Sequence, residues 1–156
     1  DVAFYKETIA MVREYFPNCS IGADVIVGYP GETDKEFMET YSLLRELPIT
    51  HFHVFPYSKR KNTVAAKMED HVQAPVKKER VKTLINLGEE KKVEFAKTLI
   101  DLEGEVLFER EKDGNYEGYC SSYIKVSVQS DQALENQIKK VAYIESIGDR
   151  IIGQLV

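Results

Sequence analysis

The segment between Ile21 and Tyr57 sets the tightest limit on what this chain can fold into. Ile21–Val27 is an apolar run in which Val25, Ile26 and Val27 are consecutive, the pattern of a strand covered on both faces. Gly28-Tyr29-Pro30-Gly31 is turn chemistry. Thr33 with Glu36 three residues later is a capping box, and Phe37, Tyr41, Leu44 and Leu47 give the helix that follows one apolar stripe. Pro48 ends that helix, and His51–Tyr57 reads as a second, aromatic-rich strand. Strand, helix and strand at this spacing predict a parallel pair joined by a right-handed crossover.

The flanks extend the pattern. Tyr5, Ile9, Val12 and Phe16 predict an amphipathic helix over Phe4–Phe16, broken by Pro17-Asn18. Beyond a loop containing Lys59-Arg60-Lys61-Asn62, Pro75 suits the first turn of a helix running to about Thr98. Two parallel strands are an incomplete sheet, because buried strands need neighbours at their free edges. Residues 1–98 are therefore expected to be the back part of a larger α/β protein, with self-association through exposed edges.

The period changes in the last third. Leu102, Val106 and Phe108 lie in a β-prone run, and Asp113-Gly114 is a strong hairpin signal. Tyr123–Val128 alternates, and Gln137–Ser146 and Arg150–Val156 add strands on either side of Gly148-Asp149. Five short strands predict a small barrel of OB-like shape over residues 99–156. Charge divides at the same place. Residues 1–98 carry fifteen basic and fifteen acidic side chains, whereas 99–156 carry six basic and eleven acidic, which accounts for the whole net charge of −5. That balance disfavours general affinity for phosphate backbones, so any nucleic-acid role rests on local basic patches.

At 43% hydrophobic and 30% charged the composition is that of an ordinary globular chain. No apolar run reaches the ~20 residues that cross a bilayer, and no signal-peptide pattern is present, so the expectation is a soluble, cytoplasmic protein without membrane contact. Cys19 and Cys120 are too few for a disulfide scaffold or a thiolate metal site, and no metal ligands are assigned.

Chemistry is best sought where the first strand hands over to its helix. In α/β proteins ligands bind at that end of parallel strands, glycine lets backbone approach them, and the helix start favours an anion. A tight turn that simply requires glycine fits the same residues. The loop has neither the Lys-Ser/Thr of a phosphate-binding P-loop nor dinucleotide spacing. His51 and His53 share a strand face with Phe55 and Tyr57; two such His can be a metal pair, but packing or hydrogen bonding fits them better. Lys59, Arg60, Lys61 and Lys67 form a basic loop at the same end, suited to a phosphate-bearing substrate or to plain solvation. Lys77, Lys78, Arg80, Lys82, Lys91 and Lys92 are assigned to the solvent face of the long helix. Tyr123 and Lys125 suit stacking on a base and pairing with a phosphate, or ordinary strand packing.

Three stretches taken together resemble one family. Asp24-Val25-Ile26-Val27-Gly28-Tyr29-Pro30-Gly31-Glu32-Thr33, His53-Val54-Phe55-Pro56-Tyr57-Ser58-Lys59-Arg60 and Thr63-Val64-Ala65-Ala66-Lys67-Met68 are similar, in order and spacing, to radical S-adenosylmethionine methylthiotransferases. The His-Val-Phe-Pro-Tyr-Ser wording looks most like the branch acting on threonylcarbamoyladenosine beside the tRNA anticodon. Gly118–Val126 resembles the C-terminal TRAM domain of these enzymes, a small β barrel that binds RNA in most members and a ribosomal protein in one branch. The resemblance implies a partial (β/α)₆ barrel over 1–98, its last two strands with their helices, followed by a TRAM-like barrel over 99–156.

It also implies cofactors. The family uses two four-iron four-sulfur clusters and S-adenosylmethionine, one cluster cleaving it to a 5′-deoxyadenosyl radical and the other helping to deliver sulfur. Cys19 and Cys120 match neither cluster motif, so this chain alone is expected to be inactive and to need the missing N-terminal part of the same enzyme. By the same resemblance Ile26, Gly28 and Glu32 lie against S-adenosylmethionine, and His53, Phe55 and Tyr57 border its adenine. Arg60 would meet tRNA at the mouth, and Tyr123 and Lys125 would meet it on the small barrel. Lys59, Lys61 and Asn62 stand where Pro, Pro and Gly are frequent; Asn tolerates the left-handed backbone a Gly would take, so the turn is expected to survive. An RNA role for the acidic barrel rests on Lys125, Lys139 and Lys140 converging on one face. Two alternatives remain: an RNA-binding module without chemistry, or a methylthiotransferase acting on a ribosomal protein side chain.

Overall fold

The computed structural model describes residues 1–156, which form two compact units. One comprises Asp1–Val12 and Ile21–Lys91, the other Arg13–Ser20 and Lys92–Val156. The elements are α1 (Val2–Tyr15), β1 (Gly22–Val27), α2 (Asp34–Glu46), β2 (His51–Pro56), a 3₁₀ turn at Ala65–Lys67, α3 (Ala74–Thr98) and five further strands: β3 (Glu103–Lys112), β4 (Asn115–Cys120), β5 (Lys125–Gln129), β6 (Ile138–Ile147) and β7 (Arg150–Leu155). No helix is long and apolar enough to cross a membrane.

In the first unit β1 and β2 pair in parallel, in register from Gly22 with His51 to Val27 with Pro56, and form a two-stranded sheet. The capping box forms as the sequence predicts. The Thr33 hydroxyl accepts from the Glu36 N–H, and the Glu36 carboxylate accepts from the Thr33 N–H at 2.8 Å. Val25, Val27, Phe37, Leu44, Leu47, Ile49, Leu84 and Leu87 are buried.

Two expectations are corrected here. Ile26 is not covered, being 59% exposed, because β1 buries only the face bearing Val25 and Val27. Phe16 is exposed instead of lying on the α1 stripe: α1 ends at Tyr15, and a residue before proline is pushed out of the helical region.

The second unit is built on β pairing. β3 pairs with β4 and β6, β4 with β5, β7 with β6, and β5 lies parallel to β7, so the order β3-β4-β5-β7-β6 returns to its start as a closed barrel. Asp113 and Gly114 both take positive φ, 54° and 74°, the backbone of a two-residue hairpin whose twist matches its strands. Val106, Phe108, Val126, Val128, Leu134, Val141 and Ile151 fill the interior together with Phe95, Ala96 and Leu99 from the end of α3. Gly118 permits the β3–β4 approach, since a Cβ there would stand 2.0 Å from the Leu107 carbonyl oxygen. Residues 13–20 attach by specific contacts: the Arg13 guanidinium lies 5.6 Å over the Phe95 ring, and the Ser122 hydroxyl donates to the Asn18 carbonyl at 2.7 Å.

Candidate functional site

Because β1 and β2 are parallel, the loops that leave them lie at the same end of the sheet. The first is a tight turn. The Glu32 N–H donates to the Tyr29 carbonyl at 2.9 Å, with Pro30 and Gly31 (φ 85°) at the two central positions, the residue pattern of a type II turn. Gly28 sits at φ 72°, and a Cβ on it would fall 2.2 Å from Lys77 Cγ. Glycine is thus required at position 28 by backbone conformation and by space. Gly31 has nothing within 4 Å of where a Cβ would stand, so its backbone can be approached closely.

Loop and helix are tied together from α3. Glu32 Oε1 accepts from the Gly28 N–H at 2.9 Å and from Arg80 Nη1. Arg80 also donates to the Glu32 carbonyl at 3.2 Å and to Asp34 Oδ1 at 2.7 Å, and its guanidinium lies 5.3 Å from the Phe37 ring centroid. One turn earlier, Lys77 Nζ donates to the Tyr57 carbonyl at 3.0 Å, fixing the exit from β2. At the other end of α2, Lys91 Nζ donates to the Arg45 carbonyl at 2.9 Å, satisfying an acceptor in its last turn.

These contacts correct the assignment of the α3 cations to solvent. Arg80 is only 4% exposed, Lys91 is buried and Lys77 is half-buried, whereas Lys78 and Lys82 do face water. The sequence carried a usable signal. Lys77, Arg80, Leu84, Leu87 and Lys91 recur at spacings of three and four, so both buried cations and leucines lie on one stripe.

The exposed face of the sheet carries Asp24 beside His53 and Ile26 beside Phe55, each pair adjacent across the strands. Phe55 is 51% exposed. The His51 and His53 rings meet edge to face at 5.5 Å, and no group of three or more His, Cys, Asp or Glu is arranged to hold a metal ion. Tyr57 turns off this row. Its ring meets Tyr29 edge-on at 5.5 Å and stacks on His71 at 6.1 Å, and the Tyr57 hydroxyl and His71 Nε2 are buried with no hydrogen-bond partner. Arg60 is exposed on the following loop, where Asn62 takes φ 67°, the left-handed backbone expected of it. A groove of about 530 Å³ beside that loop is lined in part by Tyr57, Lys59, Lys77 and Lys78.

On the small barrel, Tyr123 does not belong to a strand. It occupies the β4–β5 turn at φ 58°, 75% exposed, with its N–H on the Cys120 carbonyl at 2.9 Å. The strand begins two residues later, at Lys125, and the alternation expected over Tyr123–Val128 is not seen, because Val126, Ser127 and Val128 are all buried. Lys125 Nζ lies 5.9 Å over the Tyr119 ring and 3.8 Å from Glu117. Cross-strand pairing aligns Ile138, Leu107, Tyr119 and Lys125 on the outer face, and a groove of about 490 Å³ is lined by Leu107, Tyr119, Tyr123 and Ile138 with Glu105 and Glu109. Lys125, Lys139 and Lys140 do not converge. Lys139 shares the face of Val106, while Lys140 lies on the opposite face and pairs with Glu103 at 2.5 Å.

Comparison with known proteins decides the family. The chain is 37% identical over 148 residues to the threonylcarbamoyladenosine tRNA methylthiotransferase MtaB of Bacillus subtilis, covering 92% of this chain and 33% of that protein. It is 39% identical over 155 residues to the tRNA-2-methylthio-N(6)-dimethylallyladenosine synthase of Bacillus mycoides, covering 97% of this chain and 30% of the relative. The chain belongs to the tRNA methylthiotransferase family. The MtaB of Aquifex aeolicus is 39% identical over 123 residues, 74% of this chain and 30% of its own length. No family model matches the chain. The chain spans about a third of the length of the curated relatives it matches.

Proposed function

We propose that this chain supplies the last two strands of the catalytic barrel, residues 1–98, and a TRAM-like barrel, residues 99–156, of a radical S-adenosylmethionine methylthiotransferase. The substrate of the whole protein is threonylcarbamoyladenosine beside the anticodon of tRNA, and its compartment is the cytoplasm. One observation carries the reading: the β1–β2 face that bears Ile26 and Phe55 is open, while the opposite face buries Val25 and Val27. In a (β/α) barrel the side chains on one face of each strand point to the interior and those on the other pack under the helices. A strand pair from such a barrel, taken without its neighbours, presents this asymmetry.

The residues at the strand ends fit S-adenosylmethionine. Ile26 and Phe55 offer an apolar surface, His53 lies beside them, and the turn is open at Gly31, where its backbone can approach a polar ligand. When bound, that cofactor supplies the radical and methyl chemistry. The iron–sulfur clusters are a different matter. A four-iron cluster takes three or four thiolates, and Cys19 and Cys120 are the only cysteines, so the residues of this chain do not fit a cluster. Arg60, with Lys59, Lys77 and Lys78 around the neighbouring groove, suits the phosphates of an anticodon stem-loop. Tyr123 and Lys125 offer the small barrel a stacking surface and a cation. Alone, the chain self-associates through the open sheet, which light scattering at several concentrations detects.

The test is to load the full-length protein with its clusters and measure methylthio modification of threonylcarbamoyladenosine in its tRNA. Modified nucleoside is expected; an unmodified one from cluster-loaded protein overturns the reading. A second reading, docking of a basic protein substrate on the small barrel, is favoured by Glu105 and Glu109 lining its groove. Titrating the full-length protein with anticodon stem-loop and with a basic peptide separates the two.

A further inference from the structure

The most unusual side chain in the first unit is Arg80, a buried guanidinium in the middle of a helix. A buried charge is costly unless it is paired and hydrogen-bonded. Arg80 is paired through both Nη groups, leaving only its Nε buried without a partner, and its contacts lie in the loop that joins β1 to α2 and in the start of α2. It binds the Glu32 carboxylate, the Glu32 carbonyl and the Asp34 carboxylate, and it lies over the ring of Phe37. The Glu32 carboxylate reaches back to the Gly28 N–H at 2.9 Å. A continuous chain of contacts therefore runs from α3 through Arg80 and Glu32 to the backbone at the end of β1. Lys77, three residues earlier on the same helix face, packs against Gly28 and holds the Tyr57 carbonyl at the end of β2.

We propose that Arg80 is a positioning residue for S-adenosylmethionine: through Glu32 it fixes the Gly28–Gly31 turn whose backbone meets the cofactor. The proposal rests on the methylthiotransferase reading above. It also changes the role of Glu32. With one oxygen shared between the Gly28 N–H and Arg80, and only 15% of the side chain exposed, Glu32 supports the turn from behind instead of touching the ligand. Gly28 presents no free N–H for the same reason, and the Gly31 N–H is taken by the Asp70 carbonyl at 2.7 Å, so contact with the cofactor falls to the carbonyls of the turn. A guanidinium suits this task because its planar fork spans two carboxylates at once, which an ammonium cannot do with the same geometry.

The experiment uses the full-length, cluster-loaded protein. Dissociation constants for S-adenosylmethionine and for an anticodon stem-loop are measured in wild type, R80K, R80M, E32Q and the R80M/E32Q double variant, with thermal midpoints alongside. R80M is expected to weaken S-adenosylmethionine binding by about tenfold, the lower end of what removing a supporting contact costs. R80K and E32Q are expected to weaken it by about threefold, and the double variant to be no worse than R80M, because both changes break one chain of contacts. Stem-loop affinity stays at the wild-type value.

If the folded variants bind S-adenosylmethionine within about twofold of wild type, or lose both ligands in equal proportion, Arg80 is only a stabilising residue and the proposal falls. Should R80M fail to fold, R80K and E32Q decide by the same criterion. A wild-type protein with intact clusters that binds no S-adenosylmethionine instead overturns the underlying reading, and the two failures are told apart in that one control.

Discussion

The sheet of the first unit and the barrel of the second solve the same problem in opposite ways. In the barrel every strand has two neighbours, and the side chains of one face fill the space they enclose. In the sheet β1 and β2 have only each other, and Ile26 and Phe55 lie in water on a face they share with Asp24 and His53. Closure removes strand edges and lets a short segment bury its own core. An open parallel pair cannot do so; the face bearing Val25 and Val27 is buried and the other is left open. The comparison teaches that a closed sheet encloses its own core, whereas an open pair buries one face and leaves the other outside.

Breaking the barrel interior gives the largest expected effect. Phe108→Ala should destabilise the second unit by about 3–5 kcal/mol, seen as loss of amide hydrogen-exchange protection in β3 to β7. Protection in β1 and β2 should stay as it was; a matching loss there would mean that the two regions unfold as one and would remove the contrast. Next in size is Gly28→Ala, which combines a positive φ with the clash against Lys77. About 2 kcal/mol of destabilisation is expected, confined to amides of the first unit.

Titration sharpens the contrast further. Burial pushes the Tyr143 phenol well above its ordinary value of 10.0, and Cys120 beside it adds to the shift. The folded barrel therefore keeps a proton that the unfolded chain gives up. Its stability should hold below pH 10 and fall above it, with a slope of at most roughly 1.4 kcal/mol per pH unit. Tyr143→Phe should flatten that alkaline decline in the barrel and leave the sheet unit unchanged.

At the acid end both units respond, the second through Asp149, whose carboxyl Lys92 holds below its ordinary value, and the first through Glu36. The Thr33 N–H, then its hydroxyl, hold the Glu36 carboxyl below 4.5, so the stabilisation is present above that value and lost as pH falls through the folded one. Thr33→Ala should lower stability by about 1 kcal/mol and reduce the acid dependence, measured by thermal unfolding between pH 3 and 6. Smallest of all is Phe55→Ala, which in this chain should shift stability by no more than about 0.5 kcal/mol because the ring is half in water. A loss of several kcal/mol at Phe55 would show that the open face is already covered, for instance by a second copy.

The candidate site was partly legible before the fold was known. Gly28, Gly31, Glu32 and Tyr57 were singled out, and they do cluster at the strand ends, because turn chemistry and strand–helix alternation are local properties. Lys77 and Arg80 read as solvent-facing, and His71 and Tyr119 carry no mark of their own, since a cation on a helix or an aromatic on a strand reads the same whether it faces water or another element. Tyr123 was placed on a strand because alternation continues through it, and only the backbone turn at positive φ takes it off.

Sequence by itself determined the order of elements, the capping box at Thr33, the glycine turn after β1, the Asp113-Gly114 hairpin and the division near residue 98 in charge and period. Each of these rests on spacing over a few residues or on a single residue's allowed backbone. Only the tertiary structure decided which face of β1 stays open, that Arg80 turns inward to hold Glu32, and that β5 meets β7 in parallel to close the barrel. Those outcomes depend on partners far away along the chain, and burial is a property of what surrounds a side chain, which no local pattern encodes.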